Sequence, residues 1–191
     1  MRYRPEHKAA IHNKILKDAA ERVRCEGLNG AAVAAVMRDA GLTHGGFYKH
    51  FPSKDDLLVE SLRVAFEEAL ALLVTAAEQE RPESAWKAIV KAYLSPQHCE
   101  HPERGCPLAA LASELARAPK AIKGHIVAEM TNYKNRMLPF MPGRRRVDKE
   151  RAFDLIFSTM IGAVEVARMM PDRVARQKFL ASTRDFLLRS F

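Results

Sequence analysis

At 191 residues the chain is long enough for one sizeable core, or for a small module joined to a larger one. With 48% apolar and 28% charged residues it has the composition of a soluble globular protein, and no run approaches the roughly 18 apolar residues of a membrane span. Net charge is +8 with a pI of about 9.6, and residues 1–54 hold ten Lys/Arg against five Asp/Glu, so the basic excess is concentrated at one end and favours a phosphate-bearing partner.

The segment Met1 to Lys8 has no apolar stretch of the kind a secretory signal needs, and the three cysteines (Cys25, Cys99 and Cys106) form no disulfide framework. The expected setting is the cytoplasm, with reduced thiols and no membrane contact. Ile11, Ile15, Leu16, Ala19, Ala20 and Val23 make one face of a first helix, which Gly27 ends. A short alanine-rich helix follows from Ala31 to Asp39, with Gly41 suited to its C-cap. Alanine at 31 and 32 offers no capping hydroxyl, so Asn29 is expected to cap instead and to start the helix early. About two turns of helix fit between Thr43 and His50, with Thr43 as N-cap. Gly45 and Gly46 cost such a helix roughly 1 kcal/mol each against alanine, and close approach to another surface is a reason to keep them. Phe47 and Phe51, four apart, are expected to face inward.

Ser53 caps a long helix whose first turn carries Asp55 and Asp56, where the helix dipole favours negative charge, and which stops before Pro82. The spacing predicts a fifth helix over 84–94. An irregular polar connection is expected over 95–105 and a sixth helix from Pro107. A seventh helix is predicted over 120–138, a loop with Arg144, Arg145 and Arg146, and two last helices over 148–170 and 172–190. No strand is expected. The fold class is all-α: three N-terminal helices, then six more.

Three helices within 50 residues, the last two joined by Ala40-Gly41-Leu42, fit a helix-turn-helix, whose second helix enters the major groove. By position Thr43, His44, Gly45 and Gly46 meet base edges, Lys49 faces the groove and Arg38 contributes from the second helix. Gly41-Leu42-Thr43-His44-Gly45-Gly46-Phe47-Tyr48-Lys49-His50-Phe51-Pro52-Ser53-Lys54-Asp55-Asp56-Leu57-Leu58 resembles the DNA-binding signature of the TetR/AcrR family of bacterial transcriptional regulators. The resemblance covers about residues 8–62. It implies phosphate contacts by Tyr48, His50 and Lys54, and it puts in doubt the contact usually made by a hydroxyl where Ala31 and Ala32 stand. Arg2 and Arg4 are a candidate arm. It further implies a homodimer on a pseudo-palindromic double-stranded DNA operator, with residues 1–53 as DNA-binding domain and 54–191 as effector-binding and dimerisation domain.

The two apolar stripes of the last helices, Phe153, Ile156, Phe157, Met160, Ile161 and Val164 on one and Val174, Phe179, Leu180, Thr183, Phe186 and Leu187 on the other, are the candidate dimer interface. Trp86, Tyr93, Met130, Tyr133, Met137, Phe157 and Met160 are the candidate lining of a pocket for a small hydrophobic effector between the fifth, seventh and eighth helices. Cys106, expected at the start of the sixth helix beside Arg104, is a candidate redox or electrophile sensor, because the dipole there lowers a thiol pKa. His98, Cys99, His101 and Cys106 match no established zinc spacing, so no metal and no cofactor is expected. No phosphate loop, nucleophile elbow or carboxylate pair points to an enzyme. The competing reading is a helix-turn-helix protein without a small effector.

Overall fold

A computed structural model describes residues 5–191. Arg2 and Arg4, the candidate arm, lie outside the described residues. Among the described residues there are nine α-helices and no strand: α1 Pro5–Glu26, α2 Val33–Asp39, α3 Lys54–Glu78, α4 Ala85–Tyr93, α5 Pro96–Glu100, α6 Leu108–Leu115, α7 Lys120–Met137, α8 Arg146–Met169 and α9 Arg173–Ser190. The all-α expectation holds, with two exchanges. The short segment after α2 is a 3-10 helix, His44–Lys49, not an α-helix. The connection expected to be irregular contains α5, which Ser95 caps by accepting the His98 amide N–H at 3.1 Å and which Pro96 opens.

Two apolar cores share the long helices. The small one joins Ile15, Leu16 and Ala19 of α1 to Val36 and Met37 of α2, to Phe47 and Phe51, and to Leu57 at the start of α3. The large one runs from Val23 and Ala31 through α3, α4, α6, α7, α8 and α9. Helix α3 belongs to both, so it is the rod along which the basic module meets the rest. Arg24 reinforces that junction. Its side chain has no solvent exposure and donates to Glu68 Oε2 at 2.7 Å and to the Ala65 carbonyl, both on α3.

Helix α2 starts later than expected. Ala32 holds its N-cap position with no side-chain bond, and Asn29 contributes only its carbonyl, which accepts the Ala32 amide N–H at 3.0 Å across a 3-10 turn, Leu28–Ala31. Asn29 therefore does not cap the helix through its side chain.

The apolar stripes on α8 and α9 divide differently from the expectation. Ile156, Phe157, Met160, Val164, Leu180 and Leu187 are buried within the protomer. The wider apolar face of each helix meets its own core first. What remains outside is a narrower row on α8 comprising Leu155, Val166 and Met169, the last 75% exposed, with Val174 and Phe186 on α9 57% and 59% exposed. Positions 155, 162, 166 and 169 recur at three-, four- and seven-residue spacing and so lie on one helix face. Gly162 is half-buried on that row.

Candidate nucleic-acid interface

The turn between α2 and the 3-10 segment is closed by its own backbone. The Leu42 amide N–H donates to the Met37 carbonyl at 2.8 Å and the Gly41 N–H to the Arg38 carbonyl at 2.9 Å, with Gly41 at φ +74°. This is the Schellman pattern, and the left-handed φ is the reason for glycine at 41. Thr43 then takes an extended conformation, φ −81° and ψ 151°, at the N-cap position without a side-chain cap bond, so its hydroxyl is not spent on the helix.

Phe47 and Phe51 are 1% exposed and stack at 5.6 Å between centroids, fixing the segment to α1 and α2. With that face pinned, the others point out. Thr43, His44, Gly45, Lys49 and Lys54 are exposed, Gly46 is half-buried, and Tyr48 is 71% exposed with its ring edge-on to Phe47. A Cβ at Gly45 would meet nothing within 4 Å, and at Gly46 only ordinary contacts. The chain's own packing does not require either glycine, which leaves approach by an outside surface as their physical use. The Arg38 side chain is also exposed, with a loose ion pair to Asp39 at 3.6 Å.

His50 is half-buried, and its Nδ1 is enclosed without a hydrogen-bond partner. Burial first, and then the neighbouring His12, Lys8 and Lys49, hold its pKa below the ordinary value of 6.5. Sequence reasoning missed His12. From α1 it stacks on Phe51 at 4.5 Å, stands 6.1 Å from the His50 ring, and has its Nε2 at 3.2 Å from Glu60 Oε2 of α3. Its helical register with Ile15 and Leu16 was the available signal. Ser53 behaves as expected: the Asp56 amide N–H donates to its Oγ at 3.2 Å, capping α3 directly after the recognition segment.

A cavity of about 640 Å³ opens behind this module, walled by Ala69, Leu72 and Leu73 of α3, Ala92 and Tyr93 of α4, and the stretch from Ser95 to Cys106. It is not the pocket expected from sequence. Of the seven predicted lining residues only Tyr93 reaches it. Trp86, Tyr133, Met137, Phe157 and Met160 are buried in the large core, where α4, α7 and α8 pack on one another, and Met130 is exposed on α7. Large apolar side chains at helical spacing fill the contacts between helices before they line a void.

Cys106 also departs from expectation. It is 3% exposed just ahead of α6, and burial pushes its thiol pKa up, outweighing the lowering by the Tyr93 hydroxyl, by backbone N–H groups at the helix start and by Arg168. The thiol is held protonated. Its neighbour His98 is tied at both nitrogens: Nδ1 donates to the Tyr93 carbonyl at 2.6 Å, and the Cys106 amide N–H donates to Nε2 at 3.0 Å. That arrangement needs a neutral ring, and burial, its first cause, lowers the His98 pKa to about 4. Arg168 of α8 closes the knot by donating to the carbonyls of Cys99, Ala109 and His98 at 3.1, 2.9 and 3.0 Å. A Cβ at Gly105 would stand 2.9 Å from His98 Nε2 and 3.0 Å from Arg168 Nη2, so this crossing leaves room only for glycine. Among the described residues no group of three or more His, Cys, Asp or Glu is placed to hold a metal ion.

Residues 15–60, which carry the capped turn, the outward recognition face and the start of α3, match the family model of bacterial regulatory proteins of the tetR family. That segment, about a quarter of the chain, is similar to the DNA-binding part of that family. No curated protein matches it in sequence. Along its whole length it shares the fold of solved TetR regulators. One from Chloroflexus aurantiacus is 22% identical with a TM-score of 0.76, the match covering 96% of this chain and 95% of that one. One from Agrobacterium tumefaciens is 22% identical with a TM-score of 0.74, over 95% and 98%. The fatty acid degradation regulator FadR of Bacillus halodurans is 17% identical with a TM-score of 0.71, over 98% and 97%. The N-terminal module thus matches a bacterial regulatory protein model and the whole chain shares the fold of solved regulators, and among the described residues no helix is long and apolar enough to cross a membrane.

Proposed function

We propose that the protein is a homodimeric repressor that leaves a pseudo-palindromic operator when a small hydrophobic effector fills the cavity walled by α3, α4 and residues 95–106. In this reading residues 1–53 bind DNA and residues 54–191 bind the effector and pair the protomers. Tyr48, His50 and Lys54 hold phosphates, and Thr43 to Gly46 approach base edges with Lys49 facing the groove and help from Arg38.

One observation carries the proposal. The 3-10 turn Pro102–Arg104 is at once a wall of the cavity and part of the bed on which α1 rests. An occupant of the cavity therefore pushes on an element that the DNA-binding module leans against. Glu114 of α6 adds a second tie, its carboxylate accepting the Leu28 amide N–H at 2.9 Å. The exposed row Leu155, Gly162, Val166 and Met169 with Phe186 supports pairing of protomers through α8 and α9, because an apolar strip of that kind is stabilised by burial against its symmetry mate. An effector acts here only through a difference in affinity between DNA-compatible and DNA-incompatible arrangements.

The test combines three measurements. Duplexes selected from a random pool should contain two inverted half-sites. Analytical ultracentrifugation should give a dimer that Val166→Arg with Met169→Glu separates. Duplex affinity should fall when a ligand occupies the cavity. A monomeric wild-type protein, or selected duplexes without dyad symmetry, would defeat the dimeric reading.

A further inference from the structure

The consecutive arginines Arg144, Arg145 and Arg146 belong neither to the DNA-binding module nor to the cavity, yet two of them border a cleft of their own. A groove of about 470 Å³ lies where α7 ends, the 3-10 turn Leu138–Phe140 crosses and α8 begins. Its walls are Asn135, Leu138, Pro139, Arg144, Arg146 and Lys149, so it has three cations and no acid. Fold stability does not call for that sign. Arg146 is the first residue of α8 and Lys149 stands in its opening turn, where the helix dipole disfavours positive charge.

The acids nearby do not neutralise the groove. Asp148 is taken by Arg145, which donates to it through Nε at 3.0 Å and through Nη2 at 2.8 Å and is not part of the wall. Glu150 accepts the Nε–H of Arg146 at 2.7 Å, which leaves the terminal N–H groups of that guanidinium for another partner. Lys149 donates from Nζ to the Pro139 carbonyl at 2.9 Å. A neutral acceptor thus pins the ammonium at the groove without cancelling its charge. Arg144 is exposed, and among the described residues neither Asp148 nor Glu150 pairs with it.

With Glu150 counted against Arg146, two positive charges remain, on groups that donate hydrogen bonds and cannot accept them. An ammonium would be repelled, a neutral molecule would leave the charges unmatched, and one carboxylate would balance only one of them. A chain of phosphates brings several charges and several acceptor oxygens at once, and guanidinium forks match phosphate oxygens in pairs. The volume is that of a small-molecule cleft and exceeds what a single inorganic ion fills. The groove is also apart from the recognition segment. Arg136 in the last turn of α7 pairs with Glu67 at 2.6 Å, and Glu67 lies about 20 Å along α3 from Lys54.

We propose that this groove is a second ligand site, which takes a di- or triphosphate group against Arg144, Arg146 and Lys149 with the Asn135 amide as a neutral donor. The phosphates come from a nucleotide or from free polyphosphate, two sources of the same chemistry. The site is independent of the effector cavity.

Calorimetry on the full-length protein at about 50 mM salt, where surface charges are only partly screened, tests the class with tripolyphosphate, ATP, adenosine and citrate. The tighter of tripolyphosphate and ATP should bind once per protomer with a Kd below about 100 μM, and adenosine and citrate at least about tenfold more weakly. Arg144→Gln combined with Arg146→Gln should weaken phosphate binding at least about tenfold, through lost charge-assisted hydrogen bonds. The same variant should keep its melting midpoint within about 2 °C and its affinity for a selected duplex within about threefold of wild type, because only exposed charges are removed. Lys54→Ala should leave phosphate binding unchanged. ATP binding more tightly than tripolyphosphate assigns the site to a nucleotide, and equal or weaker binding assigns it to free polyphosphate. The proposal is overturned if neither phosphate binds more tightly than about 100 μM, if citrate binds as tightly as tripolyphosphate, or if the double variant keeps wild-type phosphate affinity. It is equally overturned if Lys54→Ala weakens the phosphates as much as the double variant does, which would put them on the recognition segment. A drop of about tenfold in duplex affinity in the double variant would make the groove a DNA contact and end the proposal.

Discussion

Lys54→Ala separates holding DNA from holding the fold. Lys54 is exposed at the first position of α3, directly after the capping Ser53. A cation at a helix N-terminus opposes the dipole, so its removal should leave the fold unchanged or stabilise it by about 0.3–1 kcal/mol. On DNA the sign reverses. If the exposed cations Arg38, Lys49 and Lys54 of each protomer each release one counterion from the duplex, a dimer makes about six such contacts, and the plot of log affinity against log salt has a slope of roughly −5.4. Affinity then falls on the order of 10³-fold between about 50 and 200 mM salt. Lys54→Ala removes two contacts per dimer, giving a slope of roughly −3.6 and a fall on the order of 10²-fold over the same range. Fluorescence anisotropy with a labelled selected duplex across a salt series measures both slopes, and thermal denaturation supplies the control. An unchanged slope in the variant, or a melting point several degrees lower, would refute the phosphate assignment.

Two further outcomes concern stability. Ser53→Ala removes the hydroxyl that accepts the Asp56 amide N–H, and should cost about 1 kcal/mol, or about 2–4 °C in melting temperature for a chain of this size. His98 has an ordinary pKa of 6.5 when unfolded and about 4 when folded. The unfolded chain therefore takes up the proton first as pH falls, so the contribution of the neutral ring is complete above about pH 6.5 and is lost between there and about pH 4. That loss amounts to about 3 kcal/mol. Denaturant titrations at stepped pH should show it, and His98→Gln should flatten the dependence over that interval; a wild-type stability constant across it would refute the neutral-ring geometry.

The sequence was most legible where a local pattern and its tertiary use agree. The apolar face of α3, the Ser53 cap, the turn at Gly41 and the inward pair Phe47 and Phe51 all read correctly, because each is set by neighbours in the chain. The short helix after the Gly41 turn was placed correctly in the chain, but its type was not. Two glycines in six residues carry no preference strong enough to separate a 3-10 helix from an α-helix. The cavity in the larger unit was mostly illegible. Aromatic and methionine positions on α4, α7 and α8 mark a helix–helix contact as well as they mark a pocket, and only the packing angles decide which. Cys106 illustrates the same limit: a helix start lowers a thiol pKa, burial raises it, and the chain order shows the first but not the second. Pro96 behind Ser95 was a readable helix start that the polar composition of residues 95–105 concealed.

The geometry of α3 gives the coupling a scale. The helix is 25 residues long, and Arg24 clamps it near Ala65 and Glu68. At 1.5 Å per residue, Leu72 at the cavity lies about 6 Å beyond Glu68 and Lys54 about 21 Å before it. A stiff rod pivoting at the clamp turns a displacement of about 1 Å at Leu72 into about 3.5 Å at Lys54, a shift large enough to spoil hydrogen bonds to phosphates. The fulcrum therefore matters more to communication than to either binding event. Glu68→Gln keeps the shape of the clamp and removes its charge. Effector affinity and duplex affinity, measured separately, should each stay near wild type, while the factor by which effector lowers duplex affinity should shrink. A variant that keeps the full factor would show that the signal reaches the recognition segment through the Pro102–Arg104 bed under α1 and not along α3.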